Sequence, residues 1–152
     1  MFFAHTTPAT TTATLFSFLL LGGVALGANE LRINSANDLI DFSSNANNGA
    51  NYSGTTVYLD SDIVFDSSLS QDFEPIGSNE TNYFQGTFDG QGHTISGLAL
   101  NSSFEYTGFF GYTNGAAINN VVMDESCAFT SLSSFSSSYI GSISELSNFL
   151  YH

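Results

Sequence analysis

Lysine is absent from this chain and Arg32 is its only arginine, against fourteen Asp and Glu among 152 residues, a formal net charge of −13. Nucleic-acid binding draws on Lys and Arg to displace counterions from phosphate, and anionic bilayers attract the same side chains. The composition therefore argues against both partners. Cysteine is nearly missing too. Cys127 stands alone, so no disulfide framework exists, and three readings stay open: a buried thiol, a bond between molecules, or a partner lost with more distant chain. The longest apolar run, Leu15–Val24, is too short to span a bilayer but has the length of a signal-peptide core. Ala25-Leu26-Gly27 places small residues at the two positions a signal peptidase reads. Residues 1–27 are accordingly expected to be a signal peptide, although residues 1–14 lack the usual Lys or Arg.

All fourteen acidic residues follow that segment, spread over a surface rich in Ser, Asn and Gly, which reads first as solubility. Export is expected, and with it a secreted or cell-surface location. Three sequons agree with this: Asn51-Tyr-Ser53, Asn79-Glu-Thr81 and Asn101-Ser-Ser103, making Asn51, Asn79 and Asn101 candidates for glycosylation.

Residues 28–54 read as an N-terminal cap. Ser35-Ala-Asn-Asp38 has the residue types of a capping box ahead of Leu39, Ile40 and Phe42, and Asn48-Gly49 supplies a stop, predicting a helix of about two turns. Thr55–Leu59 and Ile63–Phe65 read as strands. Phe73–Gly77 reads as a corner, because Pro75 has no N–H to donate.

From Gly92 the chain carries a nine-residue pattern twice. Gly92–Leu100 aligns with Gly115–Met123 at an offset of 23 residues, pairing Ile95 with Ile118, Leu98 with Val121 and Leu100 with Met123. Apolar positions spaced three and then two apart require a bend, and Gly97 and Asn120 hold it, the two residue types that most readily enter the left-handed region. A fixed period of this size predicts stacked coils, each burying its apolar face on its neighbours. Residues 55–125 are the expected coils. Tyr139–Ile143 echoes Tyr106–Phe110, but residues 126–152, with ten Ser in 27, read as an unfinished end lacking the rhythm of a buried layer.

Leu59-Asp-Ser-Asp-Ile63, Pro75-Ile-Gly77, Phe84-Gln-Gly-Thr-Phe-Asp-Gly-Gln-Gly-His-Thr-Ile95 and Gly108-Phe-Phe-Gly111 together resemble the GLUG-motif repeat proteins of adhesin-like and peptidase-associated surface chains. The resemblance covers about Leu31–Met123. It implies a right-handed, pectin-lyase-like parallel β-helix with a short N-terminal capping helix, at the cell surface or outside the cell.

Enzymes occur on such folds, so chemistry has to be weighed. A lyase needs a strong base beside calcium-bound carboxylates, and Arg32 alone could serve, from within the cap. A glycoside hydrolase needs two opposed carboxylates. Asp60 and Asp62 share a strand face and Asp89 sits on a turn, but Asp60 and Asp62 read better as bracketing a corner and Asp89 as bonding its own turn. His93, with no His or Cys nearby, reads as stabilising a turn. Calcium is the one cofactor considered, with weak candidate ligands Asp60, Asp62, Asp66, Asp72 and Glu74 in no ordered ligand loop. Phe84, Phe88, Phe109, Phe110 and Tyr112 suit a core better than a sugar-stacking platform. The expectation is a non-catalytic module, with no catalytic residue and no membrane span in the mature chain, that meets a protein or glycan at a cell surface. A fragment of a polysaccharide-cleaving enzyme on the same fold is the alternative.

Overall fold

A computed structural model describes residues 29–103, 106–131 and 139–141. The expected signal peptide, His5, His152 and much of the Ser-rich stretch lie outside them. The described chain is an all-β fold of parallel sheets carrying two helices.

Strand β1 (Asn29–Ile33) alternates apolar and polar residues and lies parallel to β2 (Thr55–Leu59), with Leu31 beside Val57 and Ile33 beside Leu59. Helix α1 (Ala36–Asn47) joins them. Its twelve residues make about three turns rather than two. The Ser35 hydroxyl accepts from Asp38 N, as a capping box requires, but the reciprocal bond reaches back one residue further, from Asn34 N to the Asp38 carboxylate. A Schellman pair closes the helix: Ala50 N donates to Asn45 O and Gly49 N to Ala46 O. Leu39, Phe42 and Ala46 face inward, and Asn47 pins the helix over residues 75–77 by bonding Pro75 O and Gly77 N.

The chain then visits the same sheets in the same order. β2, β4 (Thr87–Asp89) and β8 (Ala117–Asn119) extend a four-stranded sheet begun by β1, with Val57, Phe88 and Ile118 in one inward row. β3 (Ile63–Val64), β5 (Thr94–Ser96) and β9 (Val122–Met123) form the second sheet, with Ile63, Ile95 and Met123 in line. β6 (Ala99–Ser102) pairs with β10 (Ala128–Ser131), and β7 (Tyr106–Gly108) with β11 (Tyr139–Gly141). In the earlier pass helix α2 (Leu69–Asp72) packs beside β6 instead of a strand, with two amides at its start, Ser68 N and Leu69 N, bonded to the Asp66 carboxylate. Phe73–Gly77 does more than turn a corner, since Ile76 bridges Phe110 in parallel.

These registers correct the repeat alignment. Ile95 lies beside Met123 and not Ile118, which lies beside Phe88; Leu100 lies beside Phe129 and not Met123. The chain advances 31 residues from Val57 to Phe88 and 30 from Phe88 to Ile118. The offset of 23 matches one corner with a different corner, because any apolar strand-bend-strand unit in a parallel stack shows similar spacing. Gly97 and Asn120 do bend the chain at φ 70° and 52°, but Gly97 follows β5 whereas Asn120 precedes β9. The boundary at 125 also fails as a limit of the layers, because β10 and β11 continue them. Tyr139 pairs with Tyr106 and Gly141 with Gly108, the echo read in the sequence.

The interior is aromatic. Phe42, Phe73, Phe84, Phe88, Phe109 and Phe110 are fully buried, Phe73 stacking on Phe109 at 5.6 Å and Phe88 meeting Phe110 edge-on at 5.3 Å. Each such ring contributes about 1.5–3 kcal/mol by leaving water, and edge-to-face contacts add to it.

Candidate functional site

The outward face of the four-stranded sheet follows from alternation. With Leu31, Val57, Phe88 and Ile118 inward, the residues on either side point out and the parallel register lines them up. One row is Arg32, Tyr58, Asp89 and Asn119; the other is Glu30, Thr56, Thr87 and Ala117. Neighbouring members are separated by about one strand spacing, roughly 4.8 Å. Arg32 and Asn119 are exposed, and Tyr58 and Asp89 half-buried. The Arg32 guanidinium lies over the Tyr58 ring at 4.9 Å from its centroid.

A polar ladder runs along the adjoining corner. Arg32 Nη1 donates to Asp60 Oδ1 at 2.9 Å and Nη2 to Glu30 at 3.2 Å. These bonds, to Glu30 first and then Asp60, raise the guanidinium pKa further and hold it charged. Gln91 Nε2 donates to Leu59 O and Asp60 Oδ1, joining the second pass to the first. Asp89 Oδ1 accepts from Gln91 N in its own turn and from Asn120 Nδ2 in the third pass. Asp62 Oδ1 accepts from Thr94 N at 2.9 Å and meets His93 Nδ1 at 3.2 Å; the amide bond, then His93, holds the carboxyl below its ordinary range.

Each sequence candidate can now be placed. Asp60 and Asp62 bracket the β2–β3 corner and carry bonds between passes, Asp89 bonds its own turn, and the His93 ring meets Asp62 of the preceding pass while its backbone amide donates to Gly90 O. The weak calcium candidates are dispersed. Asp66 is occupied by α2, Glu74 accepts from Asn47 Nδ2, and Asp72 lies on α2 itself. Among the described residues no group of three or more His, Cys, Asp or Glu side chains is placed to hold a metal ion. Phe84, Phe88, Phe109 and Phe110 are core and present no ring to a ligand, whereas Tyr112 is half-buried and edge-on to Tyr106. The Cys127 thiol is half-buried, donates to Ile95 O, and is pushed up in pKa by burial first. Among the described residues no helix is long and apolar enough to cross a membrane.

No protein-family model, curated protein or solved structure matches this chain. Its own geometry is what bears on function. Arg32 and Tyr58, the cation–ring pair of the outer row, were missed in the sequence as partners. The alternation in Leu31-Arg32-Ile33 and Val57-Tyr58-Leu59 marks both as outward, but only the register places one over the other.

Proposed function

We propose that this chain is a non-catalytic, exported module, a right-handed parallel β-helix whose outer sheet face adheres to a protein or glycan at a cell surface. Support for the closed coil comes from the repeated order of sheets and from the strong right-handed preference of parallel crossovers. Export is supported by Leu15–Gly27, and the surface role by the GLUG-like blocks.

The observation that carries the adhesion reading is the row Arg32, Tyr58, Asp89, Asn119. It offers a cation, a phenol ring, a carboxylate and an amide on one side of the sheet, the mixture that recognises sugar hydroxyls and peptide groups. The Asp60 and Asp62 carboxylates, a pair that a hydrolase could have used, are meanwhile engaged in ties between passes. With a net charge of −13 the chain suits neutral or cationic partners.

Full-length secreted chain, immobilised and exposed to panels of neutral glycans and cell-surface proteins, is expected to show saturable binding. Tyr58→Ala should weaken it about tenfold, as loss of an aromatic anchor does, and Arg32→Ala should weaken it too. Turnover of a polyuronate or neutral glycan that Asp89→Asn abolishes would overturn this reading in favour of the enzyme.

A further inference from the structure

We propose that Asn79 is the residue that carries an N-linked glycan, and that Asn51 and Asn101 stay unmodified; this rests on the reading that the chain is exported. The three sequons are equivalent as motifs but not as structures.

Asn79, Glu80 and Thr81 are all exposed, in a turn that holds itself together. Asn79 N donates to Asn82 O, while Asn79 Oδ1 accepts from Thr81 N at 2.9 Å, Thr81 Oγ1 at 2.8 Å and Asn82 N at 2.9 Å. Every one of these bonds lies within residues 79–82, so the turn needs nothing from the rest of the fold and can form as soon as the chain emerges. Three donors on Oδ1 also favour negative charge on that oxygen, which eases loss of a proton from Nδ2. Nδ2 gives one hydrogen to Ser78 Oγ at 3.2 Å and keeps its second.

The other two sequons are committed to the fold. Between Asn51 and Ser53 stands Tyr52, whose ring packs at 4.7 Å on Phe42 and 6.2 Å from Phe84, and Asn51 O accepts from Gln85 N. Asn51 Oδ1 receives Ser53 N but no hydroxyl hydrogen bond from it. Asn101 is in mid-strand on β6, paired with Thr130, so its backbone is extended and cannot close the turn that Asn79 makes. Folding competes with modification at both.

The co-reactant is an oligosaccharide carried on a polyprenyl pyrophosphate, present where eukaryotic cells export protein. Nδ2 of Asn79 attacks C1 of the first sugar. The C1–N bond forms as the C1–O bond to pyrophosphate breaks, the pyrophosphate leaves with the electron pair, and the amide proton passes to base; nothing is oxidised or reduced.

The test translates the full chain with endoplasmic-reticulum microsomes, reading entry by protection from added protease and modification by an endoglycosidase-sensitive mobility shift and peptide mass. Expected is a protected chain with one glycan, mapped to Asn79. Asn79→Gln and Thr81→Ala should lose it, and so should Glu80→Pro, which keeps the acceptor but breaks the motif; Asn51→Gln and Asn101→Gln should keep it. A protected chain with no glycan, or with one on Asn51 or Asn101, overturns the proposal and leaves export standing. A chain that stays open to protease overturns both.

Discussion

Replacing Gly97 by alanine separates two costs that a left-handed glycine usually combines, because Gly115 supplies a matched control. Both have φ 70°. An L-residue there costs roughly 1–2 kcal/mol, offset by about 0.4–1 kcal/mol from the stiffer unfolded chain. At Gly115 a Cβ would meet nothing within 4 Å, so Gly115→Ala should cost about 1 kcal/mol in all. At Gly97 the same Cβ would lie 2.3 Å from Phe65 O, a backbone atom of the preceding pass. That carbonyl cannot retreat freely, since Phe65 N donates to Ser96 O at 2.9 Å one residue before the substitution. Overpacking of this kind adds about 1–3 kcal/mol and a weakened hydrogen bond about 1 kcal/mol more, bringing Gly97→Ala to roughly 3–5 kcal/mol. With about 4 °C per kcal/mol for a chain of this size, a difference of about 2–4 kcal/mol should set the two melting points roughly 8–16 °C apart. Thermal unfolding followed by circular dichroism, with urea titration to check that the slope is unchanged, measures the gap. Equal losses for the two variants would refute the close stacking of Gly97 on Phe65.

Phe88→Ala removes a fully buried ring between Val57 and Ile118 and should cost about 3–5 kcal/mol in urea unfolding. Phe129→Ala, at a half-buried ring, should cost clearly less, and similar values would misplace the core. On acidification, Asp62 and Asp124 are both held below the ordinary Asp value of 3.8, Asp62 by the Thr94 amide first and Asp124 by the Ser126 hydroxyl first. The unfolded chain therefore takes up protons before the folded one. Stability from these groups is full above about pH 4 and is lost as pH falls through their folded values; Asp62→Asn should flatten part of that loss in melts between pH 5 and about 2, and an unchanged profile would count against the Thr94 bond.

What could be read directly from the sequence was whatever local chemistry decides. Ser35 and Asn48-Gly49 bound α1 because caps act within a turn, and Asp89 bonds its own turn because an Asx side chain reaches two residues on. Strands β2 and β3 were legible from β-formers, and the inward Phe residues from their size. Register was not. A parallel strand finds its partner some thirty residues away, and with four or more apolar corners of similar spacing the best self-alignment, Gly92–Leu100 on Gly115–Met123, joined corners that do not stack. The three-residue echo at Tyr139–Gly141 had the correct offset with less apparent similarity. Strand β10 was hidden by Ser-rich composition, although Ala128 and Phe129 keep the alternation that pairs Phe129 with Leu100.

The ladder explains why so acidic a chain places its charge where it does. In a parallel stack, residues at equivalent corners sit one strand spacing apart, so carboxylates on successive passes would face each other at roughly 5 Å and repel. This corner alternates instead: Arg32 below Asp60, Gln91 above Asp60, Asn120 above Asp89, and His93 with the Thr94 amide beside Asp62. Each of these carboxylates meets a donor in the next pass, and an amide satisfies an acid without needing the lysines that the chain lacks. Asparagine and glutamine thus do at the corners what basic residues do elsewhere. The polar residues most conspicuous as catalytic candidates in the sequence, Asp60, Asp62 and His93, tie successive passes together, and Asp89 does the same through Oδ1 from its place in the outward row, where Arg32 lies over Tyr58.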